Sequence, residues 1–151
     1  MNELYQQMIQ IITERDLLLL HAGATCYMMG LIFFVQLVHY PLFKSVGTEA
    51  HLSYHRAHVY WTTWAVGPAM ILEVVSTSIL CFSPLLPTVL TYTGAFTLGI
   101  VWLSTAFIQV PCHERLSRGF DSRVHQRLVQ SNWIRCIGWS IRAIIALALL
   151  R

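Results

Sequence analysis

Seven histidines sit in a chain that has ten lysines and arginines in all, and six of the seven fall within residues 39–58 and 111–130. Imidazole is the commonest protein ligand of transition metals and suits iron, copper, zinc and nickel. In His51-Leu52-Ser53-Tyr54-His55-Arg56-Ala57-His58 the rings recur at i, i+4 and i+7, a spacing that puts three on one helical face. Taken singly, each histidine suits a headgroup boundary, where an amphipathic tip is comfortable. Taken together, His39, His55, His58 and His113 read as ligands for a transition metal, iron or copper, or for haem. Gln36 and Gln109 stand three and four residues before His39 and His113. They therefore share a helical face with those rings and are expected to orient them. His125 lies in a connection that reads as solvated and is expected to stay out of the site. Ligation needs neutral imidazole, so metal occupancy is expected to fall as pH drops through about 6.5. The pattern names no catalytic group.

Two arginines, Arg56 and Arg135, flank the histidine segments and offer planar forks for an anion: a haem propionate, a quinone headgroup or a lipid phosphate. Two further charges, Glu73 and Arg142, stand deep inside apolar runs, roughly 21 Å and 15 Å from the histidine end at about 1.5 Å per residue. Each would cost at least ~2.5 kcal/mol unpaired at a bilayer centre. A Glu73–Arg142 pair, assisted by His21 or Thr25, is the expected resolution. Trp61, Trp64 and Trp133 fit an interfacial aromatic belt. Cys26, Cys81, Cys112 and Cys136 include no Cys-x-x-Cys pair and are expected to be unbridged packing residues.

The elements that position these groups follow from charge spacing. The 151 residues are 56% hydrophobic and 11% charged, with a mean hydropathy of +0.57. Soluble domains carry about 25% charged residues, so disorder, nucleic-acid tails and ordinary soluble enzymes are excluded. Residues 74–113 form a run of 40 without Asp, Glu, Lys or Arg, and 17–43 a run of 27. About 20 apolar residues cross a hydrocarbon core as a helix. Ser83-Pro84-Leu85-Leu86-Pro87 breaks the longer run into a hairpin. Because buried backbone in lipid must bond to itself, and the runs are too long for barrel strands, helices are required. The reading is an all-α transmembrane antiparallel four-helix bundle, one domain over 1–151, with helices at about 17–38, 59–81, 88–110 and 131–150. Residues 1–16 hold Glu3, Glu14 and Asp16 against Arg15, the reverse of a signal peptide's basic start, so the first helix is expected to be retained.

Lys44, Arg56, Arg115, Arg118, Arg123 and Arg127 fall on one side of these helices, and Arg15 and Arg151 on the other. The positive-inside bias puts both termini outside and both longer connections in the cytoplasm. The net charge of +3 is then a topology signal, with no nucleic-acid partner expected.

Phe34-Val35-Gln36, followed by His39 and Pro41, is echoed by Phe107-Ile108-Gln109, followed by Pro111 and His113. Each block leads into a connection with more histidine and then a helix opening on tryptophan. This predicts a parallel repeat whose Gln/His ends face each other across an axis along the membrane normal.

Five blocks carry a resemblance: His39-Tyr40-Pro41-Leu42-Phe43, Tyr54-His55-Arg56-Ala57-His58, Pro68 to Glu73, Gln109 to Leu116, and Asn132-Trp133-Ile134-Arg135. Together they resemble a group of small four-helix bacterial membrane proteins over nearly the whole chain, which implies the bacterial cytoplasmic membrane. The last two blocks are distantly similar to the anthrone-oxygenase-like membrane family. There, a Pro-x-Asn-x-x-Leu element ends the third helix and a Trp/Asn…Arg element opens the fourth. Pro111, Leu116, Asn132 and Arg135 match that pattern, and His113 stands where the family has asparagine.

Three function classes follow. A redox-cofactor protein or oxidoreductase uses the bundle to converge ligands from several helices. A non-catalytic accessory subunit of a larger membrane complex, or a homo-oligomer, uses small residues such as Gly23, Ala24, Gly30, Gly94 and Gly99 for close contact. A transporter ranks last, since only Glu73 and Arg142 would line a path. The histidine site favours the first class.

Overall fold

In a computed structural model the backbone is described for residues 2–151, with side chains from Thr13 onward except Thr48; Glu3 therefore lies outside the described side chains. Four long helices make up the fold, and no strand occurs among the described residues. Helix α1 runs Asn2–Phe34 and continues through a π turn at Val35–His39, a short α segment Tyr40–Leu42 and a 3-10 turn Phe43–Ser45. Helix α2 is Thr48–Leu80. Helix α3 is Thr88–Ser104, a π turn at Thr105–Gln109, then Val110–Leu116. Helix α4 is Ser122–Leu149.

The helices are longer than the apolar runs alone imply. What reads in sequence as two long connections, 39–58 and 111–130, is mostly helix, leaving only 46–47 and 117–121 as links. The prolines explain the difference. A proline ring clashes with the carbonyl four residues back and usually ends or kinks a helix. Here the turn upstream of each proline widens instead. The Tyr40 N–H bonds to the Val35 carbonyl and the Val110 N–H to the Thr105 carbonyl, each five residues back. The two π turns stand in the same register to Pro41 and Pro111, 70 residues apart, whereas Gln36 and Gln109 are 73 apart. The backbone repeat thus matches His39 with Gln109, and the sequence alignment on glutamine is displaced by three residues.

The remaining links use ordinary turn chemistry. Gly119 has φ +153°, a conformation that favours glycine. Asp121 then caps α4, its Oδ1 accepting from the N–H groups of Arg123 at 2.8 Å and Val124 at 3.1 Å.

Helix α4 packs against α1 and α3, and α1 against α2, while α2 touches α3 only sparsely. Side-chain pairs join 21 to 76, 25 to 73 and 39 to 58 between α1 and α2. Others join 94 to 142 and 109 to 131 between α3 and α4. Numbers rise along one helix as they fall along its neighbour. Gly138 marks the tightest helix approach: a Cβ there would stand 2.5 Å from Val101 Cγ2, while Gly23, Gly30 and Gly99 face open space. Of the small residues singled out from sequence, Gly94 stands against α4, where a Cβ would lie 3.6 Å from Ile145 Cγ2.

Polarity is distributed opposite to that of a water-soluble domain. Phe82, Val89, Phe96 and Phe107 are 72–85% exposed, while Glu73, Asn132 and Arg142 are at most 2% exposed. All four helices are long and apolar enough to cross a membrane, with spans of 33, 32, 29 and 28 residues. At about 1.5 Å per residue these exceed a hydrocarbon core of about 30 Å.

Candidate functional site

The histidine end is built where α1 and α3 finish and α2 and α4 begin. Three imidazoles reach carbonyls near the helix ends, each beside a backbone N–H that the same carbonyl already accepts. His51 Nε2 lies 3.2 Å from the Leu116 carbonyl, His55 Nε2 3.0 Å from the His113 carbonyl, and His125 Nε2 2.8 Å from the Tyr40 carbonyl. A carbonyl only accepts, so Nε2 carries the hydrogen in each ring and Nδ1 is left as a bare lone pair. The Nδ1 atoms of His51, His55 and His125 are buried with no partner among the described residues. Ligating histidines are commonly anchored this way, with the far N–H on a backbone carbonyl.

His125 is thus 1% exposed and joined to the end of α1. Its placement on a solvated connection is corrected: the segment after Asp121 is helical and packs its imidazole inward, against Phe43 and Phe120.

A second set of rings meets beside the first. His39 Nε2 lies 2.5 Å from His58 Nδ1, their centroids 4.4 Å apart. Thr62 Oγ1 is 3.1 Å from the same His58 nitrogen. His113 lies 5.4 Å from His58 and 5.3 Å from His55 by ring centroids. The His113 Nε2 is 3.2 Å from the Tyr40 hydroxyl, and its Nδ1 is buried without a partner. The structure therefore brings together His39, His55, His58 and His113, from three helices. Among the described residues no three His, Cys, Asp or Glu side chains stand in the geometry of an assembled metal centre.

A cavity of about 770 Å³ lies among α1, α2 and α3, with His55, His58, His113, Tyr40, Gln109 and Arg135 on its wall. The glutamines do not orient imidazoles. Gln36 accepts from Asn132 Nδ2 at 2.9 Å, and Gln109 accepts from Ser104 at 3.0 Å and donates to Ser131 at 3.1 Å. Both amides thus bond to α4, Gln36 to Asn132 and Gln109 to Ser131, while Gln109 also borders the cavity. Both arginines border the cavity: Arg56 is exposed, while Arg135 is 6% exposed and donates to Asn132 Oδ1 at 3.2 Å. Tyr40, Thr62 and the anchoring carbonyls carry no metal-binding signature in sequence, and Tyr40 entered only through its place beside His39. All four cysteines are free.

Glu73 and Arg142 meet. Arg142 Nη2 donates to Glu73 Oε2 and, at 2.9 Å, to Thr77, while Nη1 donates to the Gly94 carbonyl at 2.5 Å. Thr25 donates to Glu73 Oε1 at 2.6 Å. His21 stands 3.8 Å from that oxygen and 2.8 Å from Ser76 Oγ. Trp139 lies under the guanidinium at 5.6 Å. This network joins all four helices well away from the histidines.

Comparison with family models, curated proteins and solved structures returns no match to the chain.

Proposed function

We propose that the chain is an integral protein of the bacterial cytoplasmic membrane, an antiparallel four-helix bundle with both termini outside. Its cytoplasmic end binds a transition metal, iron or copper, for redox chemistry. The apolar outer surface and polar interior support lipid as the solvent. The observation that supports the metal reading is the pair of buried, unpartnered Nδ1 atoms of His55 and His113 at the cavity wall, with His55 anchored through Nε2. Imidazole donors suit iron, copper or zinc rather than calcium or magnesium. His39 Nε2 and His58 Nδ1 face each other across a shared hydrogen, which a metal ion would displace. Two ligands of one ion at about 2.0–2.1 Å stand on the order of 3 Å apart, so a small ring movement admits the metal. Rings packed at 4.4–6.1 Å leave no gap for a porphyrin between two axial imidazoles, which favours a metal ion over bis-histidine haem. The likeness to the anthrone-oxygenase-like family belongs to this proposal, with Arg135 at the same cavity and Asn132 accepting its hydrogen bond.

Metal analysis of protein purified in mild detergent tests the reading. Wild type is expected to hold about one iron or copper per chain, and His58→Ala and His113→Ala to hold little. Metal below about 0.2 per chain after reconstitution with iron or copper, together with stable copurification of a larger partner, would instead indicate an accessory subunit.

A further inference from the structure

The buried arginine at the cavity wall has an unmet requirement. Arg135 is 6% exposed, its Nη1 donates to the neutral Asn132, the Tyr40 hydroxyl is its other polar neighbour, and its Nε is buried without a partner among the described residues. Among the described residues the carboxylate pairs are Glu73 with Arg142 and Glu73 with His21; Arg135 joins neither. A buried guanidinium without an anion is costly, and breaking or omitting a buried pair is strongly unfavourable. Arg142, the other deep arginine, has its carboxylate. Arg135 faces a cavity instead.

That cavity is apolar beyond its polar end. Met28, Leu31, Val35, Val59 and Val66 line much of the wall away from Arg135, and Arg56, Glu114 and threonine hydroxyls also border it. Its volume falls in the range of small-molecule sites. It lies where α2 and α3 are sparsely packed and the outer surface is apolar. The free Nε edge of a guanidinium matches a planar, two-oxygen anion, and arginine is the side chain suited to such bidentate recognition.

We infer that the cavity binds a single-chain amphiphile with a carboxylate head, of the fatty-acid class. The head sits against Arg135, near Tyr40 and His113, and the hydrocarbon chain lies along the apolar wall. The inference uses the cavity of the metal proposal but not the metal, and its test is run on metal-stripped protein. Failure here leaves the metal analysis standing, and an absence of metal leaves this inference standing.

The protein is placed in zwitterionic nanodiscs and titrated with a conjugated-polyene fatty acid, read by its fluorescence. Its methyl ester and a phosphate monoester of equal chain length compete against it. The carboxylate is expected to bind about 10- to 100-fold tighter than the ester, the gain expected of a hydrogen bond to a charged group. Arg135→Gln should remove that discrimination while keeping ester binding. Arg135→Lys should retain part of it. Leu31→Trp, which fills the apolar end, should weaken acid and ester alike. Because Arg135 lacks a counter-ion, ligand-free Arg135→Gln protein should melt no lower than wild type, whereas a purely structural arginine would lower the melting temperature. Equal affinity for acid and ester in wild type, tighter binding of the phosphate monoester, or discrimination retained in Arg135→Gln would each overturn the inference.

Discussion

Replacing Glu73 by Gln removes the carboxylate that neutralises Arg142 while keeping nearly the same shape. Both residues are at most 2% exposed, so water cannot solvate the stranded guanidinium. It would keep its bonds to the Gly94 carbonyl and Thr77, neither of which carries charge. Thr25, which donates to Glu73 Oε1, can still bond to the amide oxygen, so most of the loss is electrostatic. Breaking a buried pair from one side costs about 3–5 kcal/mol. Arg142→Gln should lose a similar amount by leaving Glu73 alone, and the double variant should recover at least ~1.5 kcal/mol relative to the sum of the singles. Unfolding in mixed micelles, followed by circular dichroism, measures all four proteins of the cycle. Single losses that simply add would show that the two side chains are not energetic partners, whatever their separation.

Gly138→Ala should destabilise the bundle by about 1–3 kcal/mol through overpacking against Val101, and Val101→Ala in that background should return part of it in the same unfolding assay. His125→Ala should lower stability by about 0.5–1.5 kcal/mol, because the buried Tyr40 carbonyl loses its imidazole donor and keeps the Phe43 N–H; unchanged stability would mean that water replaces the bond. Pro111→Ala restores an N–H and removes the ring that widens the turn before it, so the α3 end should rotate and metal retention should fall more than stability does. Metal content and melting temperature, measured together, separate those two effects.

The helices were legible because the charge-free runs at 17–43 and 74–113 are long and apolar enough for helices that could cross a membrane. Glu73 and Arg142 were legible as partners for a related reason, being two opposite charges at comparable depth. The helix ends were not. Pro41 and Pro111 carry strong stop signals, and nothing in their neighbours announces that a π turn will absorb the clash. The same turns hid the direction of Gln36 and Gln109, since a widened turn rotates every residue upstream relative to those downstream. His51, His55 and His125 find their partners in backbone carbonyls, which have no residue identity to read. Gly138 was overlooked because a glycine's value depends on the helix facing it, here Val101. The histidine cluster itself was visible from spacing, as the i, i+4, i+7 run set His51, His55 and His58 on one inward face of α2.

The central claim is that imidazoles from different helices hold one metal ion at the cavity wall. Pulsed electron paramagnetic resonance of Cu(II)-loaded protein in nanodiscs reads it directly, because the remote nitrogen of each ligating imidazole modulates the echo. Modulation from at least two imidazoles, reduced in both His58→Ala and His113→Ala, is the result expected from this geometry. A bound Cu(II) without imidazole modulation, or a pattern unchanged in both variants, would contradict it.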